Sequence, residues 1–235
     1  MAENPVYSEV FSMFHAYGIQ LTESAYQKLC IYADKLSAEK TRQNVTAIQS
    51  KPEIWTRHFL DSAYLLQFIP PAGSVIDIGT GGGLPGIPLS ILNPELQFTL
   101  LDSELQKIRF CEEIADLLQL NLRTIAGRAE EIARTDERAQ YDAAVSRAMA
   151  SAPVITELSL PFLKVGGIFL AMKGKNYDRN AESCAHAAES VGGSPPEILP
   201  YSIEHEDKNL ILIRKICETP AEYPRRFAKI KRNPL

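Results

Sequence analysis

The sequence predicts an α/β protein in which a mostly parallel sheet, covered by helices on both faces, follows a helical segment and finishes in an antiparallel hairpin. Three observations predict it. Through residues 1–70 apolar side chains recur every three or four positions. From Ser74 onward, five short apolar stretches rich in branched and aromatic residues alternate with segments long enough for a helix. Near the C-terminus two further stretches are separated only by a short polar tip.

In "VYSEVFSMFHAYG", Val6, Val10, Met13, Phe14 and Tyr17 share one helical face, and in "TESAYQKLCIYADKLSAEK" the same holds for Ala25, Leu29, Tyr32, Ala33 and Leu36. Asn4 and Thr22 are the expected N-caps, Pro5 suits a first turn and Gly18 a stop. A third helix is expected after Pro52 through "EIWTRHFLDSAYLLQFI", ending at "PPAG". Its Trp55 and Phe59 read as core. His58 and Asp61, three residues apart, read first as a structural pair.

The strands follow as "SVIDI", "QFTLLD", "LRTIAG", "YDAAVS" and "GGIFLAMK". Between the second and third, "SELQKIRFCEEIADLLQL" places Leu105, Ile108, Cys111, Ile114, Ala115 and Leu118 on one face, with Ser103 as the expected cap. "EILPYSIE" and "NLILIRKI", joined by the polar "HEDK", lie too close for a parallel crossover, so they pair as a hairpin.

These patterns divide the 235 residues into a helical segment (1–70), a sheet domain (71–217) and a basic tail (218–235). No apolar run approaches the roughly 18 residues of a membrane span, and "MAENPVYSEV" lacks the basic and apolar regions of a secretory signal, so a cytoplasmic location is expected. Cys30, Cys111, Cys184 and Cys217 are widely spaced with no C-x-x-C, so neither zinc nor disulfides are expected, only reduced and mostly buried thiols. The net charge is −4, yet "RRFAKIKRNPL" holds five cations and no acid; without them 20 Lys and Arg face 29 acids, a balance of −9. A basic tail on an acidic body suits either solubility or local contact with a polyanion.

"DIGTGGGLPGIPLSI" contains G-x-G-x-x-G at Gly81, Gly83 and Gly86, with Asp102 closing the next strand, the outline of a dinucleotide fingerprint. Two details oppose a nicotinamide cofactor: Asp77 would repel a pyrophosphate, and Pro85 and Pro88 remove amide donors from the helix start. Without G-K-[ST] there is no P-loop. A ligand that needs close backbone approach but carries no phosphate fits better, and S-adenosylmethionine is one: its positive charge suits an acid before the glycines, and its ribose suits Asp102. Taken singly, Asp77 could equally cap its loop, Asp102 the next helix, and Glu130 could be a surface acid.

"DIGTGGG" resembles the first motif of class I S-adenosylmethionine-dependent methyltransferases, and "DIGTGGGLPGIPLSI" resembles more narrowly the family that methylates guanine N7 in small-subunit (16S) ribosomal RNA, formerly called glucose-inhibited division protein B. "NVTAI" (44–48), "RHFLDS" (57–62), "TLLDS" (99–103), "GRAEE" (127–131), "YDAAVSRAMA" (141–150) and "PFLKVGGIFLAMKG" (161–174) match in order and spacing. The resemblance implies a Rossmann-like class I methyltransferase sheet. It also implies cofactor contacts at Gly79, Leu84, Ala129, Glu130 and Arg147; Gly81 belongs to the same glycine turn and Asp102 is the physical assignment for the ribose. The tail keeps Pro224, Arg225 and the closing basic run but lacks the Gly-Thr-Pro element of family tails.

The expected acceptor is small-subunit rRNA, or the small ribosomal subunit itself. Lys173, Lys175, Arg225, Arg226, Lys229, Lys231 and Arg232 would position its phosphates. Since N7 carries a lone pair and no proton, no general base is expected and no catalytic side chain is assigned; neither a metal nor a membrane is expected, and the chain is expected to act as a monomer. The rivals are a small-molecule or protein methyltransferase on the same fold, an NAD-dependent oxidoreductase, and a non-catalytic RNA-binding assembly factor.

Overall fold

The computed structural model describes residues 3–43, 48, 50–178 and 183–235; residues 44–47 of the "NVTAI" motif lie outside the described residues. Helix α1 (Tyr7–Ala16) begins later than expected: Val6 sits at the cap position, and Asn4 instead accepts from the Trp55 indole and donates to Asp34. Helix α2 (Glu23–Gln43) is capped as predicted, with the Thr22 hydroxyl accepting the Ala25 amide at 3.1 Å.

The third helical stretch is less regular than its periodicity suggests. It runs as α3 (Lys51–Ile54), a π turn over Trp55–Leu60, α4 (Asp61–Ala63) and a 3-10 turn over Tyr64–Gln67. A π turn bonds i to i+5, so residues three apart no longer stack as on an α-helix. His58 and Asp61 accordingly find separate partners. Trp55 and Phe59 are core, as expected.

Strands β1 (Gly73–Ile78), β2 (Leu96–Asp102), β3 (Leu122–Ala126), β4 (Tyr141–Arg147), β5 (Leu163–Lys173), β6 (Glu197–Ile203) and β7 (Glu206–Arg214) form one sheet in the order β3-β2-β1-β4-β5-β7-β6. The first five are parallel; β7 runs antiparallel between β5 and β6. The predicted hairpin is present with a tighter tip than "HEDK": Ile203 pairs with Glu206, and Glu204 and His205 both have positive φ, as a two-residue type I′ turn requires.

Side-chain alternation sends each strand's residues to two apolar cores. Val75, Phe98, Leu100, Val145 and Leu170 pack with the N-terminal helices, α5 (Gly86–Leu92) and α6 (Leu105–Leu118); Ile76, Ile78, Leu101, Phe169 and Ile213 pack on the opposite face with α8 (Ala152–Ser159) and α9 (Ala185–Ser190). The helical segment thus shares its core with the sheet. In α6, Phe110 joins the buried face while the first residue, Leu105, stays half exposed. The C-terminal segment is docked: Ile230 of α10 (Phe227–Arg232) is buried in the second core.

Candidate functional site

An open parallel sheet binds ligands beyond the carboxyl ends of its strands, where the strand order reverses. That reversal falls between β1 and β4, and a cavity of about 540 Å³ opens there. The turn after β1 supplies Gly79, Gly81 and Leu84, the end of β2 Asp102, the turn after β3 Ala129 and Glu130 of α7 (Ala129–Ile132), and the end of β4 Arg147. Every cofactor residue expected from the sequence therefore lines one cavity.

The glycine turn is tight for identifiable reasons. Gly79 has φ +72°, and a Cβ there would stand 2.7 Å from the Met149 sulfur; a Cβ on Gly86 would stand 2.3 Å from a Leu100 methyl. Asp77 lies beneath this turn, fully buried. Its Oδ2 accepts from the Thr80 hydroxyl at 2.7 Å and the Gly86 amide at 2.9 Å, while Oδ1 has no partner among the described residues. Burial pushes its carboxyl up to about 6, opposed by those two hydrogen bonds. The first amide of α5 is thus spent on Asp77 rather than offered to a phosphate. From the N-terminal side, the buried Tyr32 hydroxyl of α2 donates to the Gly82 carbonyl at 2.5 Å and braces the turn.

Asp102 joins two backbone segments. Its Oδ2 accepts from the Gly81 amide and its Oδ1 from the Glu104 amide, each at 2.9 Å. Ser103 is not the cap of α6: Glu104 holds that position, with no side-chain cap hydrogen bond. A carboxylate offers about four lone-pair sites, so acceptor capacity remains toward the cavity.

Arg147 faces a second cavity, of about 700 Å³, which it shares with Ala148. Its guanidinium donates to His58 Nδ1 at 3.0 Å and to the Arg57 carbonyl at 3.2 Å. A guanidinium only donates, so the Arg147 contact requires a neutral imidazole with Nδ1 unprotonated; the same Nδ1 lies 3.2 Å from the Arg57 carbonyl. Burial and the Arg147 charge pull the His58 pKa down to about 3, which keeps that form across the physiological range. Asp61, buried at the same cavity, accepts from the Tyr201 hydroxyl at 3.0 Å and pairs with Lys208 at 2.9 Å. Ala148, a non-glycine residue at φ +51°, carries the backbone between the two cavities, and such uncommon conformations concentrate at functional sites.

The basic residues divide. Arg226, Lys229, Lys231 and Arg232 are exposed on the docked tail, and Lys175 is exposed beside the second cavity. Lys173 is half-buried, its ammonium donating to the Ala150 carbonyl at 2.7 Å. Arg225 is taken out of the expected phosphate-contacting set: it grips the buried Glu157 of α8 through Nε at 2.8 Å and an Nη at 2.6 Å, and its amide bonds the same carboxylate. Sequence reasoning missed Phe227, which lines the first cavity from the tail. It lies about 100 residues downstream of Ala129, and no local pattern ties it there.

A glycine turn crowded by neighbouring side chains, a helix start closed to phosphate and acids after β2 and β3 suit a nucleoside with a positive charge and no phosphate. Among α/β folds that is the arrangement a class I S-adenosylmethionine-dependent methyltransferase calls for. Solved structures share the fold: TrmN from Thermus thermophilus aligns with TM-score 0.52 at 16% identity over 69% of this chain and 53% of its own, and the precorrin-6y C5,15-methyltransferase of Geobacter metallireducens with TM-score 0.51 at 16% identity over 74% and 92%. The family model for GidB, rRNA small subunit methyltransferase G, matches residues 25–211. Proteins named ribosomal RNA small subunit methyltransferase G are 40% identical in Acetivibrio thermocellus, over 93% of this chain and 92% of theirs, and 37% identical in Clostridium kluyveri, over 93% and 94%. The chain belongs to the rRNA small subunit methyltransferase G family; it is an enzyme that uses S-adenosylmethionine. Among the described residues no helix is long and apolar enough to cross a membrane, and no group of His, Cys, Asp and Glu is placed to hold a metal.

Proposed function

We propose that the chain transfers a methyl group from S-adenosylmethionine to N7 of a guanine in small-subunit (16S) rRNA, in the cytoplasm and as a monomer. The observation that carries this reading is the meeting of the two cavities at Arg147 and Ala148, of which one would take the nucleoside cofactor and the other the base. In this reading the Gly79 and Gly81 backbone and Leu84 seat the cofactor, Asp102 accepts from its ribose, and Ala129 and Glu130 flank its adenine. The cofactor supplies an electrophilic methyl on a sulfonium.

The protein's own task is placement. Guanine N7 attacks through an in-plane lone pair, with no proton to remove, so alignment at about 3–3.5 Å is the main requirement. Neutral His58 suits that task. It holds Arg147 by accepting a hydrogen bond and takes no proton itself.

The test incubates the protein with labelled S-adenosylmethionine and small subunits or rRNA lacking the modification, then maps the label; label away from guanine N7 refutes the reading. Asp102→Ala is expected to weaken S-adenosylhomocysteine binding, read by calorimetry. NAD binding in its place would favour an oxidoreductase.

For the acceptor, Arg226→Ala with Lys231→Ala is expected to weaken rRNA binding and lower its salt slope by about 0.7–0.9 for each phosphate that is no longer neutralised. Cofactor affinity should not change. Unchanged RNA affinity would return these residues to a purely solvated role.

A further inference from the structure

The C-terminal segment follows a fixed path toward the cofactor cavity. Arg134 donates to the carbonyls of Ala221, Glu222 and Pro224 at 2.7–3.1 Å, and Arg138 to those of Thr219, Pro220 and Tyr223 at 2.7–3.2 Å. The Arg225–Glu157 pair pins the next residue, and buried Ile230 anchors the helix beyond. A segment held at so many points delivers one side chain to a defined place.

That side chain is Phe227. It stands in the wall of the cofactor cavity beside Glu130, with the Arg128 guanidinium 5.8 Å from its ring centroid, and Arg128 in turn lies 3.7 Å from Glu130. A groove of about 830 Å³ shares Arg128, Glu130 and Phe227 with the cavity, so the ring belongs to the linings of both.

We propose that Phe227 is a cofactor-contacting residue which closes the adenine end of the S-adenosylmethionine site, delivered there by the clamped C-terminal strap. The inference rests on the assignment of this cavity to the cofactor, with adenine toward Glu130. An aromatic side chain is suited to the place because a purine presents a π face and an apolar edge, and ring contacts exceed what buried area alone supplies. The long sequence separation explains why no glycine or acid motif marks it.

The test is calorimetry on the full chain with S-adenosylhomocysteine and with 5′-methylthioadenosine, which keeps the nucleoside and lacks the amino-acid end. Phe227→Ala is expected to weaken both ligands about tenfold and by the same factor, with rRNA affinity unchanged. Phe227→Tyr should bind within about twofold of the parent and Phe227→Leu in between; these two decide the matter if the alanine variant does not fold. Parent-like affinity in a folded Phe227→Ala, or in Phe227→Leu where alanine fails to fold, overturns the proposal. So does a loss confined to S-adenosylhomocysteine, which would place the ring at the other end. If the parent protein binds neither ligand, it is the cavity assignment that fails.

Discussion

Arg225→Ala is expected to destabilise the fold by roughly 3–5 kcal/mol, the cost of leaving a buried carboxylate without its partner. Glu157 is 1% exposed at its side chain and Arg225 11%, so water cannot take the place of the lost guanidinium. The Glu157 hydrogen bond holds the Arg225 pKa above the usual guanidinium range, which matches a paired rather than a solvated cation. Chemical denaturation of the variant reads the effect as a lower midpoint with an unchanged slope. Arg226→Ala, one residue on and exposed, should stay within about 0.5 kcal/mol of the parent. The contrast separates two arginines that are indistinguishable in sequence. Replacing both members of the pair with methionine should recover most of the loss, because the expense lies in the orphaned charge more than in the pair itself. If Arg225→Ala is as stable as Arg226→Ala, the buried pair is not what holds the tail.

That contrast marks where sequence reading stops. The strands were legible because a strand buried on both faces reads as a short apolar run of branched and aromatic residues, set off from the next by a stretch long enough for a helix. The glycine turn was legible because positive φ and crowding by neighbouring side chains leave few residues to choose from, and Asp102 and Arg147 because each ends a strand at a known place in the topology. What stayed hidden depends on residues that meet only after folding. Glu157 and Arg225 lie 68 positions apart, and Arg134 reaches Pro224 across 90. Nothing local distinguishes a tail arginine that binds Glu157 from one that faces solvent. The π turn at Trp55–Leu60 was hidden differently, since its apolar spacing fits an α-helix, yet it separates His58 from Asp61 and sends one to Arg147 and the other to Tyr201 and Lys208. Ser103 does not cap α6, because the helix begins one residue later than the pattern suggests, with Glu104 at the cap position.

Asp77→Asn is expected to stabilise the ligand-free protein at neutral pH by roughly 3 kcal/mol, and by almost nothing near pH 4. In the fold the carboxyl titrates at about 6 against 3.8 for a free aspartate, with burial as the leading cause. Below the unfolded value both states are protonated, and the folded state bears no charge penalty. Between about 4 and 6 the folded state holds the proton more tightly, so stability falls as pH rises; above 6 the full penalty is present. Asparagine keeps an oxygen for the Thr80 hydroxyl and the Gly86 amide and places a neutral group where Oδ1 has no partner among the described residues. It therefore imitates the protonated form at every pH. Denaturation of parent and variant from pH 4 to 7.5 should give two curves that meet at the acid end and separate through pH 6. Parallel curves would mean that Asp77 is ionised without penalty. A charge kept at this cost beneath the cofactor turn is expected to be recovered when a cationic ligand binds, so saturating S-adenosylmethionine should stabilise the parent more than the variant.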